Sequence, residues 1–460
     1  MWQVQRLLFY NCFDWCFYLE EEEETVTDKV NERELVLGIL LSVTKDEEYS
    51  HIAIQNVLTK YQYLEKNKRA FITRVSEGTL ERMIELDYII NQFSKVSVNK
   101  MKPVIRNIMR FSVYQLKYMD SIPDSAVCNE AVKLAERKGF RNLKGFVNGV
   151  LRNIARNIDS ISYPKKEENK IAYLSIRYSL PEWIVEDWMK TYGFEQTEEM
   201  AQTFLTQTKL SIRTNEEKIT PEQLKERLRQ EGVTVQEHET LPYAFFISGF
   251  DYLLSLPSFQ EGLFYVRDVS SMQVAELAEP KDGDYVIDVC AAPGGKSIHI
   301  AEKMHGTGMV DARDLTLYKV NLMEENRIRC GTKNMKTSCM DARIRDEASI
   351  GKADIVIADL PCSGLGVLRK KKDIKYKMTP EKQESLVLLQ REILNVVWQY
   401  VKPGGTLIYS TCTINRKENE ENVTWFLKEH PVFSLESMEQ ILPGEDGNDG
   451  FFLAKLKKVE

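Results

Sequence analysis

The sequence has no long apolar run and no paired cysteines. No stretch reaches the roughly 18 apolar residues that a membrane-spanning helix needs, although 43% of the 460 residues are hydrophobic. The eight cysteines are scattered and form no Cys-x-x-Cys pair, so neither a zinc site nor a disulfide framework is indicated. The chain also lacks Gly-x-Gly-x-x-Gly, which argues against a nicotinamide-dependent dehydrogenase. We therefore expect reduced thiols, with Cys128, Cys290, Cys330 and Cys339 packed in cores. We also expect no bound metal, no membrane association and a cytoplasmic location.

The first 26 residues differ from the rest of the chain. They contain an apolar stretch, RLLFYNCFDWCFYL, which is interrupted by Asp14 and followed by five glutamates. A signal peptide would have a strongly basic start and a cleavage site of small residues, and this stretch has neither. We expect residues 1–26 to be a tail that is disordered or not native to the protein.

The pattern of the remaining chain predicts three domains, because 460 residues exceed one ordinary domain. Residues 27–158 show apolar residues at helical spacing and predict an all-α domain. Residues 159–265 predict a small α/β linker domain, with a helix that Thr220 caps and Pro221 begins. Residues 266–460 alternate strands with helices, which is typical of a doubly wound, Rossmann-like parallel sheet.

The charge is unevenly distributed. The net charge of −7 at first argues against a nucleic-acid partner. Between residues 95 and 160, however, 13 Lys and Arg residues face 5 Asp and Glu residues, and residues 369–377 hold six basic residues and one acid. Local basic patches, rather than the total charge, attract phosphates. A solvated helix face is the alternative for the first patch.

Unusual residues follow several strands of the C-terminal segment, where a parallel sheet binds its ligands. Asp288–Lys296, DVCAAPGGK, is a turn whose two glycines let the backbone approach a ligand. Asp314 follows at the spacing of an acid that holds ribose hydroxyls, and Asp311 competes with it. Counting back from Gly331 along the helix favours Asp314. Asp341 follows the next strand and could accept from an adenine amino group.

Two further strands end in cysteines, Cys362 in DLPCSG and Cys412 in STC. A thiolate is a nucleophile, and its attack on C6 of a pyrimidine would make C5 able to accept a methyl group. The C5 proton and the thiol must then leave, so a second base nearby is useful. Either cysteine alone would be read as a buried apolar residue, but the two together behind a glycine turn indicate covalent catalysis.

Three motifs resemble those of the RNA cytosine-C5 methyltransferases, the NOL1/NOP2/Sun family: DVCAAPGGKS, DLPCSGLGVLRKKKDIK and GGTLIYSTCTINRKENE. The helical segment 27–158 is similar to a NusB-type RNA-binding domain. This pairing is typical of the members that modify small-subunit ribosomal RNA. The resemblance covers nearly the whole chain after residue 26, including the terminal DGFFLAKLKK.

The resemblance implies S-adenosylmethionine as the methyl donor. Its implied contacts are Cys290, Ala291, Ala292, Pro293, Gly294, Gly295, Lys296, Asp314, Asp341 and Asp359. Cys412 would be the nucleophile on cytosine C6, and Cys362 would assist release of the product. Asp359 would help hold the ring near N3, and Lys296 would lie beside the donor or the reacting base. The basic stretch from Arg369 would hold the RNA strand.

These observations favour an RNA methyltransferase with S-adenosylmethionine as cofactor, 16S rRNA or a small-subunit assembly intermediate as partner, and a monomeric state. The runner-up is a cytosine-C5 methyltransferase that acts on another rRNA site or on tRNA, because the RNA-binding modules decide the target. A non-catalytic RNA-binding factor would explain the helical segment but would not need two cysteines at strand ends.

Overall fold

A computed structural model describes residues 30–206, 209–444 and 448–459. The tail predicted for residues 1–26 lies outside the described residues, as do Cys12 and Cys16. None of the described helices has the length and hydropathy that a crossing of a lipid bilayer requires. Within the same ranges, no group of three or more His, Cys, Asp or Glu residues is arranged to hold a metal ion.

The N-terminal part is a bundle of helices, as the apolar periodicity predicts. Its helices are α1 (Glu32–Thr44), α2 (Ser50–Lys60), α3 (Lys66–Glu81), α4 (Met83–Phe93), α5 (Pro103–Tyr118), α6 (Asp124–Arg137) and α7 (Lys144–Arg156). Each helix turns apolar residues into one core, which contains the fully buried Leu40, Ile72 and Phe111. Burial of such side chains contributes about 1.5–3 kcal/mol each.

Two helices, α8 (Lys170–Arg177) and α9 (Glu182–Thr203), follow the bundle. Gly193, with a φ of 79°, interrupts α9. Trp188 and its neighbours pack against Leu365 and Ile414 from the C-terminal segment. The first part of the segment predicted as an α/β linker is therefore helical and packs directly against the C-terminal part of the chain.

A small antiparallel sheet comes next. Its elements are β1 (Leu210–Thr214), α10 (Pro221–Gln230), β2 (Thr234–Glu237), β3 (Ala244–Ser248), α11 (Pro257–Gln260) and β4 (Phe264–Val266), and the strand order is β2-β3-β1-β4. Thr220 caps α10 as predicted, and its partner in a reciprocal capping box is Gln223.

The C-terminal part is a larger sheet with helices on its faces. Its elements are α12 (Val269–Ala278), β5 (Tyr285–Asp288), α13 (Gly295–Lys303), β6 (Met309–Asp314), α14 (Leu317–Cys330), β7 (Met335–Cys339), β8 (Ala353–Asp359), α15 (Ile374–Lys377), α16 (Pro380–Val397), β9 (Val401–Thr411), α17 (Glu420–Glu429), β10 (Phe433–Ile441) and β11 (Phe451–Lys458). The strand order is β10-β11-β9-β8-β5-β6-β7. The strands from β9 to β7 are parallel neighbours, so their carboxyl ends share one edge.

The predicted fold class, an all-α part, a small α/β part and a Rossmann-like part, is confirmed with one addition. The last two strands are antiparallel, because β11 pairs in that sense with both β9 and β10. The alternation of strand and helix ends at α17, so the chain returns through a hairpin instead of a helical crossover. Short 3-10 turns lie at Val98–Lys100, Arg141–Leu143, Ile158–Ser160, Leu253–Ser255, Glu347–Ser349 and Trp398–Tyr400.

Candidate active site

The glycine turn brings backbone to the carboxyl edge of the large sheet. Gly294 precedes α13 with a φ of 99°, a conformation that residues with side chains rarely adopt. A Cβ on Gly295 would lie 2.7 Å from Nη1 of the buried Arg267, so a side chain has no room there either. The peptide between Ala292 and Pro293 is cis. The turn forms a close cradle of backbone at the N-terminus of α13, where N–H groups are available to a ligand.

Asp288 ends β5 directly before this turn and is fully buried. Its Oδ2 accepts a hydrogen bond of 2.7 Å from the Ser297 hydroxyl. Its Oδ1 is also buried and has no hydrogen-bond partner among the described residues. Burial raises the pKa of Asp288 to about 6, against the opposing effects of Ser297 and Lys296. The backbone N–H of Cys290 also opposes this rise in the pKa, so Asp288 is held by the turn that follows it.

The two acids that compete for the ribose lie in different environments. Asp314 is at the end of β6, where its Oδ2 accepts from the backbone N–H of Ala292 at 3.0 Å. That bond joins it to the glycine turn. Asp311 lies within β6 and pairs with Arg313 at 2.6 Å. Burial raises the pKa of Asp311, but the hydrogen bonds and charges of Arg313 and Lys336 together outweigh burial and bring the pKa below its usual value. Asp311 is therefore engaged in an ion pair within the strand, whereas Asp314, which also pairs with Lys319 of α14 at 3.0 Å, is bonded to the glycine turn at the strand end.

The next strand end carries Asp341, two residues beyond β7. It pairs with Arg343 at 2.6 Å, and the hydrogen bond from Arg343 lowers its pKa. Cys339, the last residue of β7, is exposed, so the expectation that it packs in a core is wrong. Cys128 and Cys330 are buried as expected.

Asp359 ends β8 and lies at the centre of the edge. Its Oδ1 accepts from the Ser410 hydroxyl of β9 at 2.8 Å, and its Oδ2 pairs with Lys296 of α13. The ammonium of Lys296 also lies 5.8 Å from the centre of the Phe451 ring, on the antiparallel strand β11. The pair thus connects the glycine turn with the strand that leads to Cys412.

The two cysteines meet at this edge. Cys362 lies three residues beyond β8 and Cys412 directly follows β9, and these strands are parallel neighbours. The two Sγ atoms are 3.3 Å apart, and both residues are half-buried. The distance corresponds to a hydrogen bond between a thiol and the neighbouring sulfur.

The pKa values of the two cysteines are shifted in opposite directions. The hydrogen bond between them raises the pKa of Cys362 well above its usual value, and burial adds to this rise. The same hydrogen bond lowers the pKa of Cys412, assisted by Lys371 and Lys296, although burial and Asp359 oppose it. The charges of Lys371 and Lys296 thus favour a thiolate on Cys412, to which Cys362 would donate as the remaining thiol.

Sequence reasoning missed Glu418, which ties the two cysteine loops together. It is fully buried, and burial raises its pKa. Its carboxylate accepts from the backbone N–H of Ser363 at 2.8 Å and from the side chain of Gln390 at 3.0 Å. The Ser363 hydroxyl in turn lies 2.7 Å from that of Thr413. Nothing in the local pattern separates Glu418 from its acidic neighbours, so only the fold reveals this role.

The glycine at the end of DLPCSGLG packs beneath the nucleophile loop. Gly366 donates its N–H to the carbonyl of Cys412 at 3.1 Å. A Cβ on Gly366 would lie 1.9 Å from the carbonyl oxygen of Gly450, which belongs to the terminal DGFFLAKLKK. The close backbone packing explains why three separated motifs meet at one point.

The basic run 369–377 is largely engaged within the molecule, which departs from the prediction that it holds RNA. Arg369 pairs with Asp449, and Lys370 pairs with Asp268 at 2.6 Å. Further along, Lys372 pairs with Glu81 of the helical bundle. Ion pairs of this kind depend on residues far away in sequence, so the local charge count could not reveal them. Lys371 is exposed and has no ion-pair partner in the described ranges, and the RNA-binding prediction remains open for it.

The helical bundle keeps a basic surface. Several cations of residues 95–160 pair with acids, including Arg110 with Asp87. Others are exposed and have no ion-pair partner in the part of the chain that the structure describes: Lys95, Lys100, Lys102, Arg141, Arg152 and Arg156. These side chains are free to meet phosphates.

Comparisons with known proteins match most of the chain. Profiles match for the NusB family (30–156), for the ferredoxin-like domain of RsmF/B-like methyltransferases (180–250) and for the 16S rRNA methyltransferase RsmB/F (275–457). A Bacillus subtilis (strain 168) relative, named "Probable ribosomal RNA small subunit methyltransferase B", is 36% identical and covers 94% of this chain and 99% of its own. A Vibrio vulnificus (strain YJ016) relative, "Ribosomal RNA small subunit methyltransferase B", is 30% identical over 86% and 93% of the two chains. The crystal structure of PH0851 has a TM-score of 0.79 at 26% identity, over 94% and 99%.

Proposed function

Because the chain belongs to the RsmB/F family of ribosomal RNA methyltransferases and is an S-adenosylmethionine-dependent RNA methyltransferase, we propose that it methylates C5 of a cytosine in 16S rRNA through a covalent bond between Cys412 and C6. The observation that carries the proposal is the pair of thiols 3.3 Å apart at the carboxyl edge of the sheet. As a ribosomal RNA methyltransferase it is expected to act in the cytoplasm as a monomer.

Cys412 is the nucleophile in this mechanism, because its pKa is the lowered one of the two. When bound, S-adenosylmethionine supplies an activated methyl group on a positively charged sulfur. The Cys412 thiolate forms a bond to C6, the electrons of the C5–C6 double bond make C5 nucleophilic, and C5 takes up the methyl group. Covalent catalysis of this kind divides one difficult step into easier ones.

Cys362 completes the reaction as a base. Once Cys412 is bonded to carbon, its sulfur is no longer the thiolate whose hydrogen bond with Cys362 chiefly raises the pKa of Cys362. The pKa of Cys362 then falls at the moment when a base is needed. Cys362 then loses its own proton to solvent, and its thiolate removes the C5 proton. The electrons of the C5–H bond re-form the C5–C6 double bond, and the bond from C6 to Cys412 breaks so that Cys412 leaves as a thiolate.

The carboxylates along the edge fit the cofactor. The backbone cradle at Gly294 and Gly295 allows close approach of the cofactor, and the buried Asp288 holds the cradle through its hydrogen bond from Ser297 of α13. Asp314, bonded to the turn, is suited to the ribose hydroxyls, and Asp341 beyond β7 to the adenine amino group. The remaining contacts are backbone groups of residues 290–296. A row of acids also complements the positive charges of the cofactor.

We propose that the Lys296–Asp359 pair lies between the bound cofactor and the cytosine ring. We assign Asp359 to the cytosine ring near N3, because it lies beside Ser410 on the strand that leads to Cys412. Lys296 contacts Asp359 from the glycine turn, and its charge helps to keep Cys412 ionised. Both side chains are thus proposed as catalytic.

The RNA would contact the basic surface of the helical bundle, with a contribution from Lys371 near the thiols. The target base must leave its stack to reach a thiol, so a cytosine in a loop or junction is favoured over one in a regular helix. The names of the relatives favour small-subunit RNA over tRNA as the substrate.

Bisulfite sequencing of 16S rRNA and tRNA from a deletion strain tests the proposal. We expect one 16S cytosine to lose its C5 methyl group in that strain. The native gene should restore it, and a Cys412→Ala gene should not. Loss at a tRNA cytosine with 16S unchanged would favour the runner-up substrate, and an unchanged pattern in both RNAs would refute cytosine methylation.

A further inference from the structure

The helical bundle holds the segment that follows the Cys362 loop. Asp373 is buried, and its carboxylate accepts from both the N–H and the hydroxyl of Ser50, the first residue of α2, with 3.2 Å for the N–H bond. On its other side, Asp373 pairs with Lys377 at 2.7 Å. Ser50 and Asp373 are 323 residues apart in sequence, so the contact joins two parts of the molecule that are remote along the chain.

A second anchor lies at the end of α3. The ammonium of Lys375 donates to the carbonyl of Glu81 at 2.8 Å, and Lys372 pairs with the Glu81 side chain. Glu81 is the last residue of α3, and cations stabilise the C-terminal end of a helix. The segment 372–377 is thus fixed to two helices of the bundle.

The anchored segment 372–377 packs directly against the Cys362 loop. Gly364, two residues after Cys362, has a φ of 68°. A Cβ on Gly364 would lie 2.8 Å from Cδ1 of Ile374, the residue next to Asp373. A chain of neighbours therefore runs from Ser50 through Asp373 and Ile374 to the turn that carries the thiol.

We propose that Ser50, Asp373 and Ile374 are positioning residues for Cys362, so that the helical bundle forms a structural part of the catalytic site as well as an RNA-binding surface. The expected effect on the reaction rate rests on the proposed function, in which Cys362 acts as the base. Close packing transmits small shifts, and a misplacement of about 1 Å can lower a rate by about 10²-fold. Loosening the contact should therefore impair the step that Cys362 performs more than the step that Cys412 performs.

Conservative variants of the full-length chain test the proposal. Ser50→Ala removes one hydrogen bond to Asp373, and Ile374→Val removes only the methyl group that faces Gly364. The matched controls are Ser76→Ala, a buried hydroxyl of α3 without a hydrogen-bond partner among the described residues, and Ile171→Val. Ile171 packs in the same cluster as Ile374 but is not within 4 Å of the position that a Cβ on Gly364 would take.

The first readout is the protein–RNA adduct that survives a denaturing gel, with Cys362→Ala as the reference. We expect Ser50→Ala and Ile374→Val to accumulate adduct and to release product at a rate reduced by roughly tenfold or more relative to the native chain. Both control variants should behave as the native chain does. Native turnover in both test variants, or equal losses in test and control variants, would overturn the positioning role.

The second readout does not depend on the reaction. Alkylation of the thiols by iodoacetamide, followed by mass spectrometry, should show Cys362 reacting several-fold faster in Ser50→Ala and Ile374→Val than in the controls, because a looser loop exposes its thiol. Unchanged alkylation would refute the inference even if the reaction were of another kind. If Cys362→Ala itself trapped no adduct, the proposed mechanism would fail, and alkylation would still decide whether the bundle positions the loop.

Discussion

Replacing Cys362 by alanine should have two separable effects on the reaction. The first is accumulation of a covalent adduct, because Cys412 can still attack C6 but the C5 proton then has no nearby base. The second is a higher pKa of Cys412, because the thiol that donates to its sulfur at 3.3 Å is gone. The second effect can be estimated from the structure.

A hydrogen bond to a charged group contributes about 1.5–3 kcal/mol, and one pKa unit corresponds to about 1.36 kcal/mol. Because a thiol is a weak donor, we take the lower end and expect a rise of about one unit. The hydrogen bond stabilises the thiolate, so its loss raises the pKa of Cys412. Burial and Asp359 also act in that direction, whereas Lys296 and Lys371 remain to oppose it. At a pH below the native pKa of Cys412, adduct formation should slow by about tenfold, and above the raised pKa it should be unchanged.

The assay mixes each variant with RNA substrate and S-adenosylmethionine at a series of pH values and follows adduct formation on a denaturing gel. Cys362→Ser is the matched control, because its hydroxyl keeps a donor beside Cys412 and should shift the profile less. Cys412→Ala should form no adduct and no product, yet still bind cofactor and RNA. An adduct with Cys412→Ala and none with Cys362→Ala would reverse the two roles. Full turnover in both would end the covalent mechanism, and an unshifted pH profile would refute the hydrogen-bond reasoning.

Three further predictions concern the cofactor, the loop clamp and the RNA. Asp314→Ala should weaken S-adenosylmethionine binding in calorimetric titration more than Asp311→Ala. Asp311→Ala should instead lower the free energy of unfolding by about 1–3 kcal/mol, because the buried Arg313 loses this partner but keeps Asp346 at 3.2 Å and Ser349 at 2.7 Å. The reverse order of affinities would assign the ribose to Asp311. Glu418→Gln should slow turnover at unchanged cofactor affinity, because its hydrogen bonds hold the cysteine loops, and native turnover would contradict the clamp. Lys102→Glu should reduce the slope of log affinity for RNA against log salt concentration by roughly 0.9 for a duplex contact. The exposed Lys352→Glu is the control. Equal slopes for the two variants would mean that the bundle surface does not contact RNA phosphates.

The local sequence pattern was sufficient to predict the order of helices and strands and the reactive residues at the strand ends. Apolar periodicity is a property of neighbouring residues, so the helical bundle and the alternation of strands and helices could be predicted directly. Because parallel strands end at one edge, the positions of Asp359 and Cys412 after their strands already placed them near each other. The antiparallel return of β10 and β11 was missed, because a hairpin that follows a helix has no distinct signal in the alternation.

The tertiary structure decided which of these residues are free to act. Asp311 and Asp314 compete by spacing, and their contacts distinguish them: Asp311 pairs with the buried Arg313, whereas Asp314 accepts from the Ala292 N–H of the glycine turn. The run from Arg369 has the composition of an RNA-binding segment, yet Lys372 is neutralised by an acid 291 residues away. Local sequence determines which groups exist and where along a strand they fall. Which of them are paired, buried or ionised depends on contacts between remote parts of the chain, and those contacts form only when the three parts pack together.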